Sequence, residues 1–275
     1  MIVGDVIEPT TRIERTHWRE GRRIVVGCDA VGVACLSGPV LAAAVVMPPG
    51  SRRIPGVRDS KTLSRAQRER LYPQIVRRAV HIGLGAASVA EIDRLNIYHA
   101  TSLAMRRAVQ RITDRDHVLV DGLRIRDFEQ HVGEYTAIVD GDAHCHVIAA
   151  ASIVAKVVRD RLMDRLAVRH PQYAWEQNAG YATLAHRLGI EEHGITPLHR
   201  RSFARIQAVV LGEQLDFSLL VPPEEGGADA MVALPVGEAP IDASSAPKLG
   251  EAITSGRALD KPVIRGPYAA AGMMA

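Results

Sequence analysis

The sequence predicts an α/β fold: a mixed sheet flanked by helices, with a helical C-terminal subdomain. Two observations carry that prediction. Short apolar runs rich in Val and Ala occupy 23–29, 38–47 and 80–89, and two more strand-like segments, "HVLVDG" and "YTAIVDGD", follow a helical stretch. After them the pattern is helical throughout, beginning with "HVIAAASIVAKVVRDRLMDRLAVRH", which Pro171 stops.

Taken in order, the first three strands are joined by short links and so predict a meander. "LSRAQRERLYPQIVRRAV" spaces its apolar residues helically behind Ser64, a plausible N-cap, and Pro73 must kink or divide that helix. "SVAEIDRLNIYHATSLAMRRAVQRI" opens with Ser88 and Glu91, the capping-box pair, and keeps a helical period. The two later strands each run into Asp and Gly. The long helix comes next, then shorter ones around 182–188 and 201–210. Residues 1–22 read as an N-terminal extension, 23–211 as one domain, and 212–275 as a Pro-, Gly-, Ala- and Ser-rich tail that should bury little and stay largely disordered.

Composition narrows the function class. The N-terminus lacks an apolar core of signal-peptide length, and the longest apolar run, "VLAAAVVM" at 40–47, is too short to span a bilayer, so a cytoplasmic protein without a membrane segment is expected. Cys28, Cys35 and Cys145 are odd in number and lack CxxC spacing, which indicates neither a disulfide framework nor structural zinc. The net charge is +3, but nine acids and only four bases lie from Gly212 onward, so the body is more basic than the whole. A basic body invites a polyanion such as nucleic acid; a solvated arginine-rich surface is the alternative.

Three strands end in carboxylates: "VVGCD" at Asp29, "VLVDG" at Asp121, and "IVDGD" at Asp140 and Asp142. Strand ends in an α/β sheet gather side chains into a crevice, where such carboxylates repel one another unless a cation sits between them. Oxygen ligands suit a divalent cation, and two cations would stabilise both the attacking water and the leaving oxygen of a phosphodiester. Each Asp taken singly is equally a turn former or helix cap.

Seven motifs in order are similar to the type 2 ribonuclease H (ribonuclease HII) family, over roughly residues 23–207. They are "GCDAVG...SGPV" at 27–40, "DSKTLS" at 59–64, "EIDRLNIYHATSLAMRRA" at 91–108, "VLVDG" at 118–122, "GDAHCHVIAAASIVAKVVRDR" at 141–161, "GYAT" at 180–183 and "HRRSF" at 199–203. The resemblance implies a ribonuclease H-like fold and a two-metal site holding Mg²⁺ or Mn²⁺, with Asp29, Asp121 and Asp142 as ligands. It implies hydrolysis, by a monomer, of the RNA strand of RNA/DNA hybrids or of the 5′ side of ribonucleotides embedded in duplex DNA.

The remaining motifs are consistent with that expectation. Ser152, Lys156 and Arg159 share one face of the long helix and suit successive phosphate oxygens; a stripe of a packed helix is the alternative. Tyr181 matches the family tyrosine that packs against a sugar near the scissile junction, and a buried tyrosine with a satisfied hydroxyl is its alternative. Asp59, Ser60 and Lys61 precede a helix whose N-terminus could hold a phosphate, although "DSK" is also a cap signal.

The chain departs from the family at two places. The family's Asp-Glu is Asp29-Ala30 here, and its Gly-Arg-Gly, which senses the ribose 2′-hydroxyl, is Gly32-Val33-Ala34; the usual "HKGY" reads "NAGY", with Asn178 and Ala179. Loss of one carboxylate predicts weaker metal binding and a slower chemical step. Asp140, His144, Cys145 and His146 crowd around Asp142 and would favour Mn²⁺ over Mg²⁺ as ligands, or else form a surface or helix-start cluster. Three readings follow: a nuclease with reduced or altered activity, a silent hybrid- or DNA-binding descendant, or a nuclease no longer requiring a ribonucleotide.

Overall fold

The computed structural model describes residues 8–210, so the low-complexity stretch 212–275 lies outside the described residues. Five strands, β1 (Val25–Val31), β2 (Val40–Val46), β3 (His81–Ala87), β4 (His117–Asp121) and β5 (Tyr135–Ile138), form one mixed sheet in the order β3-β2-β1-β4-β5. The expected meander is present, because β1 and β2 pair antiparallel, as do β2 and β3. β1, β4 and β5 run parallel. The helices are α1 (Arg12–Arg19), α2 (Arg65–Arg78), α3 (Val89–Val109), α4 (Glu129–Val132), α5 (Gly141–His144), α6 (His146–Ala167), α7 (Trp175–Asn178), α8 (Leu184–His193) and α9 (Ala204–Val210).

Local chemistry explains the boundaries. Ser64 and Ser88 each form a capping box, with Gln67 and Glu91 respectively. Pro73 lies inside α2 without dividing it, and α3 breaks instead at Asn96, whose φ of 66° is left-handed. The sheet packs between two apolar layers. α6 and α2 cover one face around Val25, Leu119 and Ile148; α3 covers the other around Val26, Ala104 and Val118. A third cluster, centred on Met163, Tyr173, Trp175 and Ile190, builds the helical C-terminal subdomain.

The stretch 1–22 is more than an appendage where it is described: Ile13 and Trp18 pack on the α6 layer, and buried Glu14 accepts a hydrogen bond from the Val147 amide at 2.8 Å. Its polar composition concealed this, since one acid satisfying one helix N-terminus leaves no periodic signal. Among the described residues no helix is long and apolar enough to cross a membrane.

Candidate active site

Three parallel strands bring the carboxylates to one edge of the sheet. Cys28 lies beside Val120 and Asp121 beside Ile138, so β1, β4 and β5 end together. Asp29 stands near the end of β1, Asp121 closes β4, and Asp142 occupies the first turn of α5, just after the left-handed Asp140. Ligand crevices form at this end of parallel strands. Asp29 alternates with Val25 and Gly27 and therefore faces α6. That helix comes so near that a Cβ on Gly27 would fall 2.5 Å from the Val147 backbone.

Asp29 is buried, accepts the Ala30 amide at 2.6 Å and is reached by the Ser152 hydroxyl. The Ser152 oxygen also lies 2.7 Å from that of Ser60, which ties the turn Ser60–Thr62 to the site. Asp121 accepts the Gly141 amide at 2.7 Å. Burial, and then the charges of Asp121 and Asp142, push the Asp29 carboxyl well above the usual carboxylate range. Burial likewise raises Asp121, against amide hydrogen bonds and the Lys61 charge that favour its ionised form. Asp142 is pushed up to about 7, by burial first and then by Asp121 and Asp59.

Mutual repulsion within a buried, all-oxygen set is what a hard divalent cation relieves, so the donor chemistry fits Mg²⁺ or Mn²⁺. The three carboxylates are electrostatic neighbours rather than a closed cage: among the described residues, no three His, Cys, Asp or Glu side chains are disposed to hold one ion. Ala30 packs on the α3 layer, the face opposite Asp29. The histidines around Asp142 do not join it. His144 is exposed, Cys145 is buried, and His146 turns beneath the 54 segment, where its Nε2 accepts the Ile54 amide at 3.1 Å. The helix-start alternative is therefore the observed one.

The expected phosphate row on α6 needs correction. Ser152, Lys156 and Arg159 do share a face, but protein covers that face. Ser152 serves Asp29 and Ser60. Lys156 pairs with Asp160 at 2.9 Å and holds its ammonium 5.3 Å from the centre of the Tyr181 ring. Arg159 is fully buried and spends its guanidinium on the carbonyls of Ser37, Pro39 and Ala179, so it has no donor left for a phosphate. Helical spacing reports a common face and not what lies over it.

Tyr181 is 37% exposed beside this helix, and burial of the rest of the ring pushes its hydroxyl up to about 12. Its carbonyl accepts Nδ1–H of His186, whose Nε2 in turn accepts the indole N–H of Trp175 at 3.0 Å. Gly32 is buried with φ of 87°, and Val33 and Ala34 are exposed. Lys61 is exposed next to Asp59, whose Oδ1 accepts the Lys61 amide at 2.8 Å.

Sequence reasoning missed the contact of Asp59 with Asp142, the Asp160 partner of Lys156, and the roles of His186 and Arg200. "DSK" and "HRRSF" carried the only signal for two of them, and neither motif states which buried neighbour its residues meet.

A family model described as Ribonuclease HII matches residues 26–206. A Ribonuclease HII of Thermosynechococcus vestitus is 51% identical over 202 residues, covering 72% of this chain and 92% of that one. One from Alkaliphilus oremlandii is 48% identical over 198 residues, 71% of this chain and 97% of that one. Among solved structures, the ribonuclease H2 of Pyrococcus horikoshii OT3 shares the fold, with a TM-score of 0.58 at 24% identity over 67% of this chain and 96% of that one.

Proposed function

Because the chain belongs to the ribonuclease HII family of ribonuclease H-type endonucleases, we propose that it cuts RNA-containing duplexes with the help of divalent cations. Its substrates would be RNA/DNA hybrids, cut in the RNA strand, or duplex DNA, cut on the 5′ side of an embedded ribonucleotide. The observation that carries this reading is the convergence of Asp29, Asp121 and Asp142 at the ends of adjacent parallel strands, each disfavouring the charge of another. Nothing in a pure binding module calls for such a set.

Asp29, Asp121 and Asp142 would hold Mg²⁺ or Mn²⁺, which when bound supplies positive charge against that developing on the scissile phosphate. Ser152 and Ser60 orient the Asp29 carboxylate. Lys61, and Lys156 beside Tyr181, present cations to the backbone of the duplex, while the Tyr181 ring offers a flat face to a sugar. The segment Gly32, Val33 and Ala34 borders the same crevice. Activity would be reduced or altered, since position 30 contributes no carboxylate. That same Ala30 favours a second reading, a protein that grips hybrid duplex without cutting it.

The deciding experiment is cleavage of a labelled RNA/DNA hybrid and of a DNA duplex with one ribonucleotide, under Mg²⁺ and Mn²⁺. Wild type should cut, Asp121→Asn should lose at least about a hundredfold in rate, and Ala30→Glu should gain about tenfold or more. If wild type binds both duplexes and cuts neither, the binding reading replaces the nuclease. Mn²⁺ should also raise the melting temperature, by an amount equivalent to about 2.7 kcal/mol at a hundredfold excess over Kd. Asp142→Asn should abolish that rise, and an equal rise in both proteins would refute the metal assignment.

A further inference from the structure

Arg159 and Arg200 are both fully buried, and among the described residues neither forms an ion pair with a carboxylate. Two uncompensated guanidiniums are a costly feature of a core and require another partner. That partner is backbone carbonyl. Arg159 reaches the carbonyls of Pro39 and Ser37, both at 3.0 Å, and of Ala179 at 2.8 Å. Arg200 reaches those of Gly38 at 3.0 Å, Val33 at 2.8 Å and Gly32 at 2.6 Å.

Peptide planarity turns these contacts into a statement about the other side of the loop. In a trans peptide the C=O and the N–H of the following residue point opposite ways. With the Gly32 and Val33 carbonyls drawn inward to one guanidinium, the amides of Val33 and Ala34 are directed outward. Both residues are exposed, Val33 to 41%, and neither amide has a protein acceptor among the described residues. Gly32 is required beneath them: its φ is 87°, and a Cβ there would meet Arg159 Nε at 2.1 Å.

We propose that Arg200 is a positioning residue whose forked guanidinium aims the Val33 and Ala34 amides as a pair of donors toward a substrate sugar oxygen. This rests on the nuclease-family reading of the crevice above. It places recognition in the backbone, so that Val33 and Ala34, in place of the family's Arg and Gly, leave the two donors standing. A lysine at 200 would keep the charge and lose the fork that binds two successive carbonyls.

The test is duplex binding by the full chain in EDTA, read by fluorescence anisotropy with an RNA/DNA hybrid and a DNA duplex of the same sequence. Wild type should prefer the hybrid. Arg200→Lys should lose about tenfold of that preference, the effect of one or two hydrogen bonds, with DNA affinity unchanged. A parallel fall in both affinities, or an unchanged preference in a folded variant, overturns the inference. If Arg200→Lys does not fold, hydrogen exchange on wild type decides: hybrid but not DNA should protect the Val33 and Ala34 amides, and the absence of that protection overturns it. Wild type binding both duplexes equally would instead refute the functional reading itself, and the inference with it.

Discussion

At the scale of single residues, the active-site carboxylates trade stability for chemistry. Asp29 is buried on the face that α6 covers, and its charge is opposed by burial and by two further aspartates. Removing that charge should stabilise the metal-free protein: Asp29→Asn is expected to gain about 1–2 kcal/mol in urea unfolding with EDTA present, while cleavage is lost. A loss of stability would mean that the hydrogen bonds from Ala30 and Ser152 outweigh the repulsion. Arg159 teaches the complementary lesson. A guanidinium on a helix face beside a nucleic-acid site suggests a phosphate, yet six carbonyls shared with Arg200 hold this pair inside the protein. Residue type and spacing say nothing about which loop folds over a face.

At the scale of elements, parallel pairing of β1, β4 and β5 creates the site, and helix ends stabilise the frame around it. The start of α3 is a clear case. Glu91 closes the capping box with Ser88 and also binds Arg107, whose hydrogen bond is the main reason its carboxyl is held at about 2. Because this folded value lies below the ordinary 4.5, the contribution is complete above about pH 4.5 and is lost as pH falls toward 2. Glu91→Gln should therefore cost about 1–2 kcal/mol at pH 7 and show little difference from wild type near pH 2. Chemical unfolding at both values checks this, and an equal difference at both would assign the cost to packing instead. The α3 break at Asn96 had no such signal, because Asn adopts a left-handed conformation without any periodic change in the pattern.

At the scale of the whole molecule, several buried histidines must stay neutral for the layers to close. Burial is the chief cause in each: His117 and His146 are held at about 4 and His199 at about 3, all below the ordinary 6.5. Two of them accept main-chain amides, of Ile54 at His146 and of Thr196 at His199, which protonation would forbid. Folded values depressed in this way mean that stability is fully present above about pH 6.5 and is lost as pH falls toward 4 and 3. Each such histidine adds about 1.4 kcal/mol per pH unit to the slope between those limits. Urea unfolding from pH 7 to 4.5 should show a steep decline, and His146→Gln should flatten it. A decline of the same slope in the variant would show that other groups set the acid limit.

The sequence by itself determined the class of fold, the meander, the capping boxes, the three aspartates at strand ends, and the changes at Ala30, Val33 and Ala34. These are legible because strand alternation, helical spacing and cap chemistry are local, and because the family's motifs occur in order along the chain. Tertiary structure decided what spacing cannot encode: that Ser152 serves Asp29, that Asp59 leans on Asp142, that His146 turns away from the carboxylates, and that Arg159 and Arg200 hold a loop from within. Each of these depends on which segments, distant in sequence, meet at a buried polar atom. That meeting is governed by the requirement that every buried donor and charge find a partner, a condition satisfied by the assembled molecule and not by any stretch of chain.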